Sequence, residues 1–397
     1  MNHPSSHEAA QGRLDSLDAL RGGIMLLMAS GGLGMATLAK EHPDSNLWRW
    51  LEKHTEHAPW VGCTLWDLIQ PAFMFMVGVA LPWSLAKRRE RGESVANMWT
   101  HAWLRSITLI ALAIFLSSAW SPRTQWVFTN VLAQIGLAYP IAFWAAMNTP
   151  RAQWLTAGGV LALHWLLFAL YPTTQTPLEW EAMSVPHGEP LLEGFAAHWN
   201  KHVNVAARLD QWFLNQFPRE TPFVFNQGGY TTLNALPSVA TIIFGVLAGQ
   251  WMRGTQSMQR KAWGLLGVGL LCLVTGTLID ALGWCPIIKR LWTPSWTLLS
   301  TGWVCGLMAF FVWLLEIKQW RRLAFPLIVA GLNPITLYVL WQLSAGFIRS
   351  NLTRHLHPDL FLLLGPAYEA MLQRGSVLLV IWLILLWMYR QRCFIRI

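Results

Sequence analysis

The chain has 397 residues, 54% of them hydrophobic and only 12% charged, with 26 tryptophans and a mean hydropathy of +0.36. A soluble domain carries about 25% charged residues; with half that polar coat missing, a disordered chain, a coiled coil and an ordinary cytosolic enzyme are excluded. What remains is an all-α polytopic membrane bundle, in one domain and without internal repeats. The net charge of +9 would suit nucleic acid in a soluble chain, but here it reports orientation, and no nucleic-acid partner is expected. Five cysteines (Cys63, Cys272, Cys285, Cys305, Cys393) are scattered with no CxxC spacing, so neither a disulfide framework nor a metal site is expected.

A crossing helix needs roughly 20 apolar residues. Such runs lie at about 19–39, 66–86, 102–120, 127–147, 153–171, 237–252, 262–283, 295–315, 324–347 and 375–391. Residues 1–18 are polar and carry no signal-peptide pattern. The apolar piece at 360–372 is short and broken by Gly365-Pro366, which suits a re-entrant or interfacial segment. With ten spans and a cytoplasmic N-terminus, both termini are inside. The inner segments then hold 15 Lys/Arg against 6 Asp/Glu, including Arg13, the Lys87-Arg88-Arg89 run, Arg253 and Arg396, while the outer loops hold 12 of each. The whole excess falls on one side, as orientation by positive charge requires. The long outer segment 172–235 is rich in aromatics (Trp180, Trp199, Trp212, Phe213, Phe217, Phe225), which argues for a folded cap rather than a loose loop.

Five motifs carry candidate chemistry. Arg13–Gly22 leads into the first span. Asp15 or Ser16 can cap the helix there, and Asp18 and Arg21 share a face. This is a cap with an anchoring cation, or a phosphate site at the cytoplasmic mouth with Arg105. His57-Ala-Pro-Trp60-Val-Gly-Cys-Thr64-Leu-Trp-Asp67 enters the second span. Thr64 and Asp67 have capping-box spacing, and an acid at the start of a span is costly unless it serves a purpose. A His beside a carboxylate is the minimum set for general-base chemistry, although His57 read alone is equally an interfacial histidine. Cys63, a neighbouring thiol, has no specified base. Asn234 and Ser238 precede Thr241-x3-Gly245-x3-Gly249, a close-packing stripe. Cys285–Trp296 places Lys289 and Arg290 outside, against the charge trend, where an acceptor, donor phosphates or acidic loop residues are the open partners. Gly331-Leu-Asn333-Pro334 breaks the ninth span.

At these residues the chain resembles the heparan-alpha-glucosaminide N-acetyltransferase family and its bacterial relatives among the transmembrane acyltransferases. RLDSLDALRGG, HAPWVGCTLWDLIQPAFMFMVG, LPSVATIIFGVLAG, CPIIKRLWTPSW and GLNPITLYV follow the family's order of blocks. The resemblance implies an acetyl-CoA-dependent membrane enzyme, in a bacterial cytoplasmic (inner) membrane, that passes acetyl to a sugar or glycan amine on the far side. It puts the active-site histidine on His57 and the motif acid on Asp67, and it implies a homodimer without locating an interface. Arg21, Asp18 and Arg105 are then candidates for the donor's phosphates. Trp60, Asn234, Lys289, Arg290, Trp292 and Asn333 are candidates for lining the acceptor site. Two positions depart from the family pattern: the helix 1 Asn is replaced by the stretch Ala29-Ser30-Gly31-Gly32, with Ser30 or Asn46 available instead, and Phe-Pro in helix 2 reads Gln70-Pro71. A solute transporter or a non-catalytic envelope-polysaccharide assembly protein are the alternative classes.

Overall fold

The computed structural model describes residues 14–173 and 192–395. Arg13, Trp180 and Arg396 lie outside the described residues, as does the middle of the long outer segment. Among the described residues there are helices and turns and no strand. Seven helices are long and apolar enough to cross a bilayer, or nine if two bent pairs each count as one span. The expected span at 127–147 is the 17-residue helix Val131–Met147, about 26 Å long against a hydrocarbon core near 30 Å.

The bent pairs have local causes. α1 (Asp15–Ala29) and α2 (Met35–Glu41) are separated by a 46° bend. Gly31, Gly32 and Gly34 all take positive φ there, which glycine adopts without steric penalty. Further on, α12 (Arg321–Leu332) and α13 (Pro334–His355) are bent by 72°. Pro334 has no N–H and forces Asn333 out of helical geometry (φ −130°, ψ 55°).

Between these pairs run α3 (Asn46–Thr55), α4 (Ile69–Glu90), α5 (Val95–Ser118), α6 (Val131–Met147), α7 (Pro150–Ala169), α8 (Val205–Leu214), α9 (Ala235–Arg253), α10 (Met258–Ala281) and α11 (Pro294–Val312), and α14 (Glu369–Arg390) closes the chain. In α4, α9 and α11, 61–67% of the apolar window is buried, against 22% in α5, α7, α10 and α14. The first three therefore form the inner layer. The Gly245–Gly249 stripe of α9 lies on the backbone of α4: a Cβ at Gly245 would overlap the carbonyl of Phe75, and one at Gly78 that of Ile242.

The outer segment is a folded cap where it is described. A 3₁₀ turn (Gly194–Trp199) and α8 pack on the end of α7, with Trp199 fully buried and stacked on Phe168. Phe213 and Phe217 pack against Trp126 and Phe128. These aromatics thus anchor the cap to the bundle, while Phe195 and Trp212 are left exposed. Segment 360–372 becomes two 3₁₀ turns, Leu360–Leu362 and Pro366–Tyr368, after which α14 begins at Glu369, earlier than the apolar run at 375 suggests.

Candidate active site

Three segments distant in sequence meet at one end of the bundle. The first is the extended stretch after α3 that carries His57. The second is the 3₁₀ turn Trp66–Leu68 at the head of α4, which carries Asp67. The third is the α10–α11 connection, which turns on Trp292 in the left-handed region (φ 53°) and carries Lys289. The backbone N–H of Gly62 donates to the Ile287 carbonyl at 2.8 Å and ties the first segment to the third.

Asp67 is 1% exposed and its two oxygens have different duties. Oδ2 accepts from the backbone N–H groups of Ala58 and Thr64, both at 3.1 Å. The Thr64 bond is one arm of the capping box. The other arm is absent: the Thr64 hydroxyl lies 2.6 Å from the Glu56 carbonyl and 3.1 Å from Oδ2, and caps no N–H. Oδ1 faces His57 Nδ1 at 2.7 Å and Lys289 Nζ at 3.3 Å.

That geometry fixes the imidazole. Two acceptors do not sit 2.7 Å apart, so Nδ1 carries a proton and gives it to Asp67. In the neutral ring the lone pair is then on Nε2, which has no hydrogen-bond partner among the described residues, and the side chain is 37% exposed. Lys289 Nζ also lies 3.0 Å from Nδ1. An ammonium has no acceptor in an N–H, so its protons go to Asp67 Oδ1 and the Tyr230 hydroxyl at 3.5 Å. Burial pushes the Lys289 ammonium down to about 8, opposed by Asp67 and aided by Arg290. Burial likewise pushes the Tyr230 phenol up to about 12. The Cys63 thiol is also driven to about 12, by burial first and by Asp67 second, so it stays protonated and is a poor nucleophile.

A second feature opens from the opposite, basic end. A cavity of about 910 Å³ is lined there by Asp18, Arg21, Lys87, Glu90, Arg105 and Arg253, and its apolar wall follows α4 outward to Phe73 and reaches Val131, Leu132 and Ile135 of α6. Phe73 to Glu90 is about 25 Å of helix. His57 is not among the lining residues, and Phe73 stands six positions after Asp67, about 9 Å of helical rise.

Residues 13–187, less than half of the chain, match the family model for heparan-alpha-glucosaminide N-acetyltransferase, catalytic. Over that stretch the chain is similar to this family. No curated protein matches the chain. The match points to an acetyltransferase, and the apolar helices among the described residues are long enough to cross a membrane. His57, Asp67, Asp18, Arg21 and Arg105 lie within the matched stretch, whereas Lys289 and Tyr230 lie beyond it.

The structure divides the other sequence candidates. Arg21, Asp18 and Arg105 all line the cavity; Arg21 pairs with Asp18 at 3.4 Å, and Arg105 covers the Tyr139 ring. Lys289 joins His57, with Asp67 as its anionic partner. Arg290 straps the cap to the His57 stretch through the carbonyls of Gly228 (2.7 Å) and Ala58 (3.3 Å). Trp60 is 5% exposed and donates to the Trp199 carbonyl, so its ring belongs to the cap core. Trp292 is buried and donates to the Thr241 hydroxyl. Asn234 holds the Arg290 carbonyl at 2.9 Å. Asn333 is far from His57: its amide bonds Cys393 and Ile395 in the C-terminal tail, and Ile395 lines the cavity. Ser30 bonds its own helix at the Leu27 carbonyl, and Asn46 is exposed and bonds Arg49. Sequence reasoning missed Tyr230, for which there was no motif signal. It also missed Lys87 and Arg253 as cavity residues, because they were absorbed in the orienting charge.

Proposed function

We propose that this protein transfers an acetyl group from cytoplasmic acetyl-CoA to an amino sugar or glycan amine on the extracytoplasmic side, with His57 as the general base. The observation that carries the reading is the 2.7 Å His57–Asp67 contact, which leaves Nε2 with a lone pair and no partner among the described residues. The cation-lined cavity supports donor entry from the basic end. Phosphates suit Arg21, Lys87, Arg105 and Arg253, and a thin acyl arm suits the apolar wall along α4. Placing the basic end in the cytoplasm follows the charge distribution.

The step balances without a further reactant. The acceptor nitrogen attacks the thioester carbonyl carbon while Nε2 takes its proton. The carbon–sulfur bond then breaks, and the departing thiolate takes that proton from the imidazolium. Asp67 keeps the ring in the required tautomer and stabilises its charged form. The test is incubation of purified protein with radiolabelled acetyl-CoA and a panel of amino sugars. Wild type should label an amino sugar; His57→Ala should bind CoA, remain folded and transfer nothing. Transfer at the wild-type rate by His57→Ala would overturn the assignment.

A further inference from the structure

Between the cavity and His57 lies a chain of buried amides that the mechanism above does not use. Gln70, half-buried on α4, donates through Nε2 to Gln134 Oε1 on α6. Gln134, 1% exposed, donates through Nε2 to the Asn234 carbonyl (3.1 Å) and the Ser238 hydroxyl at the head of α9. Asn234 in turn holds the carbonyl of Arg290, the neighbour of Lys289. The chain therefore begins one helical turn inward of Asp67 and ends beside the lysine that touches His57. Together with those groups it closes a collar across α4, α6, α9 and the α10–α11 connection.

The direction of every amide in the collar is determined. A backbone carbonyl only accepts, so the Asn234 carbonyl requires the Gln134 NH2 group on its side. Gln134 then presents its oxygen to Gln70, and Gln70 must answer with its nitrogen. One amide N–H and the Oε1 of Gln70 remain without a protein partner among the described residues, and Gln70 is not sealed from solvent. Gln70 also continues the stripe of α4 that lines the cavity, three residues before Phe73 and seven before Val77. A donor group held by its neighbour, one turn beyond the end of the cavity wall at Phe73 and one turn from the dyad, is suited to a carbonyl oxygen that gains negative charge.

We propose that Gln70 is a catalytic residue of the collar: its free amide N–H donates to the acyl carbonyl oxygen of the thioester as the donor passes from the cavity to His57 Nε2. Gln134, with Ser238 and Asn234 behind it, acts as the positioning residue. The inference rests on the donor reading above and names the group that would receive the charge in that step.

The experiment is infrared spectroscopy of bound acetyl-CoA carrying ¹³C at the acetyl carbonyl, in His57→Ala protein so that no turnover occurs, with and without Gln70→Met. Methionine keeps the length of the side chain and removes the donor. Gln70 should lower the carbonyl frequency relative to Gln70→Met. In the otherwise wild-type enzyme, Gln70→Met should lower kcat about a hundredfold, the effect of deleting one such donor, with KM for acetyl-CoA within about twofold. Gln134→Leu should lower kcat less, because it loosens the donor without removing it. Identical carbonyl bands, or a Gln70→Met enzyme that loses thermal stability but keeps kcat, would assign the collar to helix packing and overturn the inference while leaving His57 untouched. No bound thioester band in either protein would refute the donor reading itself, and this inference with it.

Discussion

Asp67→Asn separates the chemical role of the carboxylate from its structural one. Two backbone N–H groups, from Ala58 and Thr64, converge on Oδ2 at 3.1 Å. An N–H only donates, so the asparagine oxygen must take that place and the fold around the head of α4 keeps its bonds. The asparagine NH2 then occupies the Oδ1 position, where it faces the His57 Nδ1 proton at 2.7 Å and Lys289 at 3.3 Å. Donor meets donor, so the imidazole must move its proton to Nε2 or rotate away, and the lone pair is lost from the nitrogen that should act as base. The comparable Asp→Asn change in the serine-protease triad lowers kcat about 10⁴-fold, or about 5.4 kcal/mol. The fold loses much less. Lys289 is stranded without its anion, but burial already pushes its ammonium down to about 8, so it escapes by deprotonation at a small cost near neutral pH. Transfer from labelled acetyl-CoA to an amino sugar should therefore fall by about four orders of magnitude at pH 7 in a protein that melts within a few degrees of wild type and still binds CoA. Activity within tenfold of wild type in a folded Asp67→Asn protein would refute the tautomer argument.

Three further outcomes follow from other residues. With Lys289 titrating near 8 by burial, the Lys289–Asp67 pair is lost as pH rises through 8, so transfer should decline there; Lys289→Arg, which stays charged, should extend the active range upward at a lower maximum, and coincident alkaline limbs would refute the role. Asp210 in α8 is pushed up to about 6 by burial, against the bonds from Thr232, and its Oδ1 has no partner among the described residues. The folded form thus holds a proton that the unfolded form releases between about 4 and 6, so this group adds stability on acidification through that window; Asp210→Asn should raise the melting temperature at pH 7.5, by up to about 3 kcal/mol of stability, and by only about a third of that at pH 4.5. Gly245→Ala should prevent normal packing of α9 on α4 and yield little folded protein on size exclusion, whereas Gly267→Ala, whose Cβ meets open space, should leave the yield unchanged.

Much of the membrane architecture was legible in the sequence, because length and apolarity are what a bilayer selects. The α9 stripe was legible for the same kind of reason: small residues at every fourth position have few other uses in a span. His57 and Asp67 were legible as a pair chiefly through the resemblance of their shared block to the family motif, since spacing alone left His57 an interfacial histidine. What stayed hidden was contact across distance. Lys289 and His57 are 232 positions apart, and nothing in either motif names the other. Tyr230 stands in no motif at all. Gln70 and Gln134 each look like a stray polar residue in an apolar run until α4 and α6 are laid side by side. Asn333 misled in the opposite direction. An amide at a mid-span proline break suggests a ligand, and this one is spent on the chain's own C-terminal tail.

Lys289, expected to break the charge rule, has a physical reason to be where it is once Asp67 is placed beside it. A carboxylate 1% exposed would favour its neutral form, and a similarly buried ammonium would shed its proton. Each keeps the other charged, so neither belongs to its own segment alone. The pair forms only when the α10–α11 connection docks on the head of α4, and Arg290, Tyr230 and Asn234 arrive with it. The stretch that matches the family model ends at residue 187, before any of these. It follows that the matched stretch holds His57 and Asp67 but not the cation that balances the carboxylate or the carbonyl network that frames the pair. The competent site is therefore a property of the assembled bundle, and of its second half as much as its first.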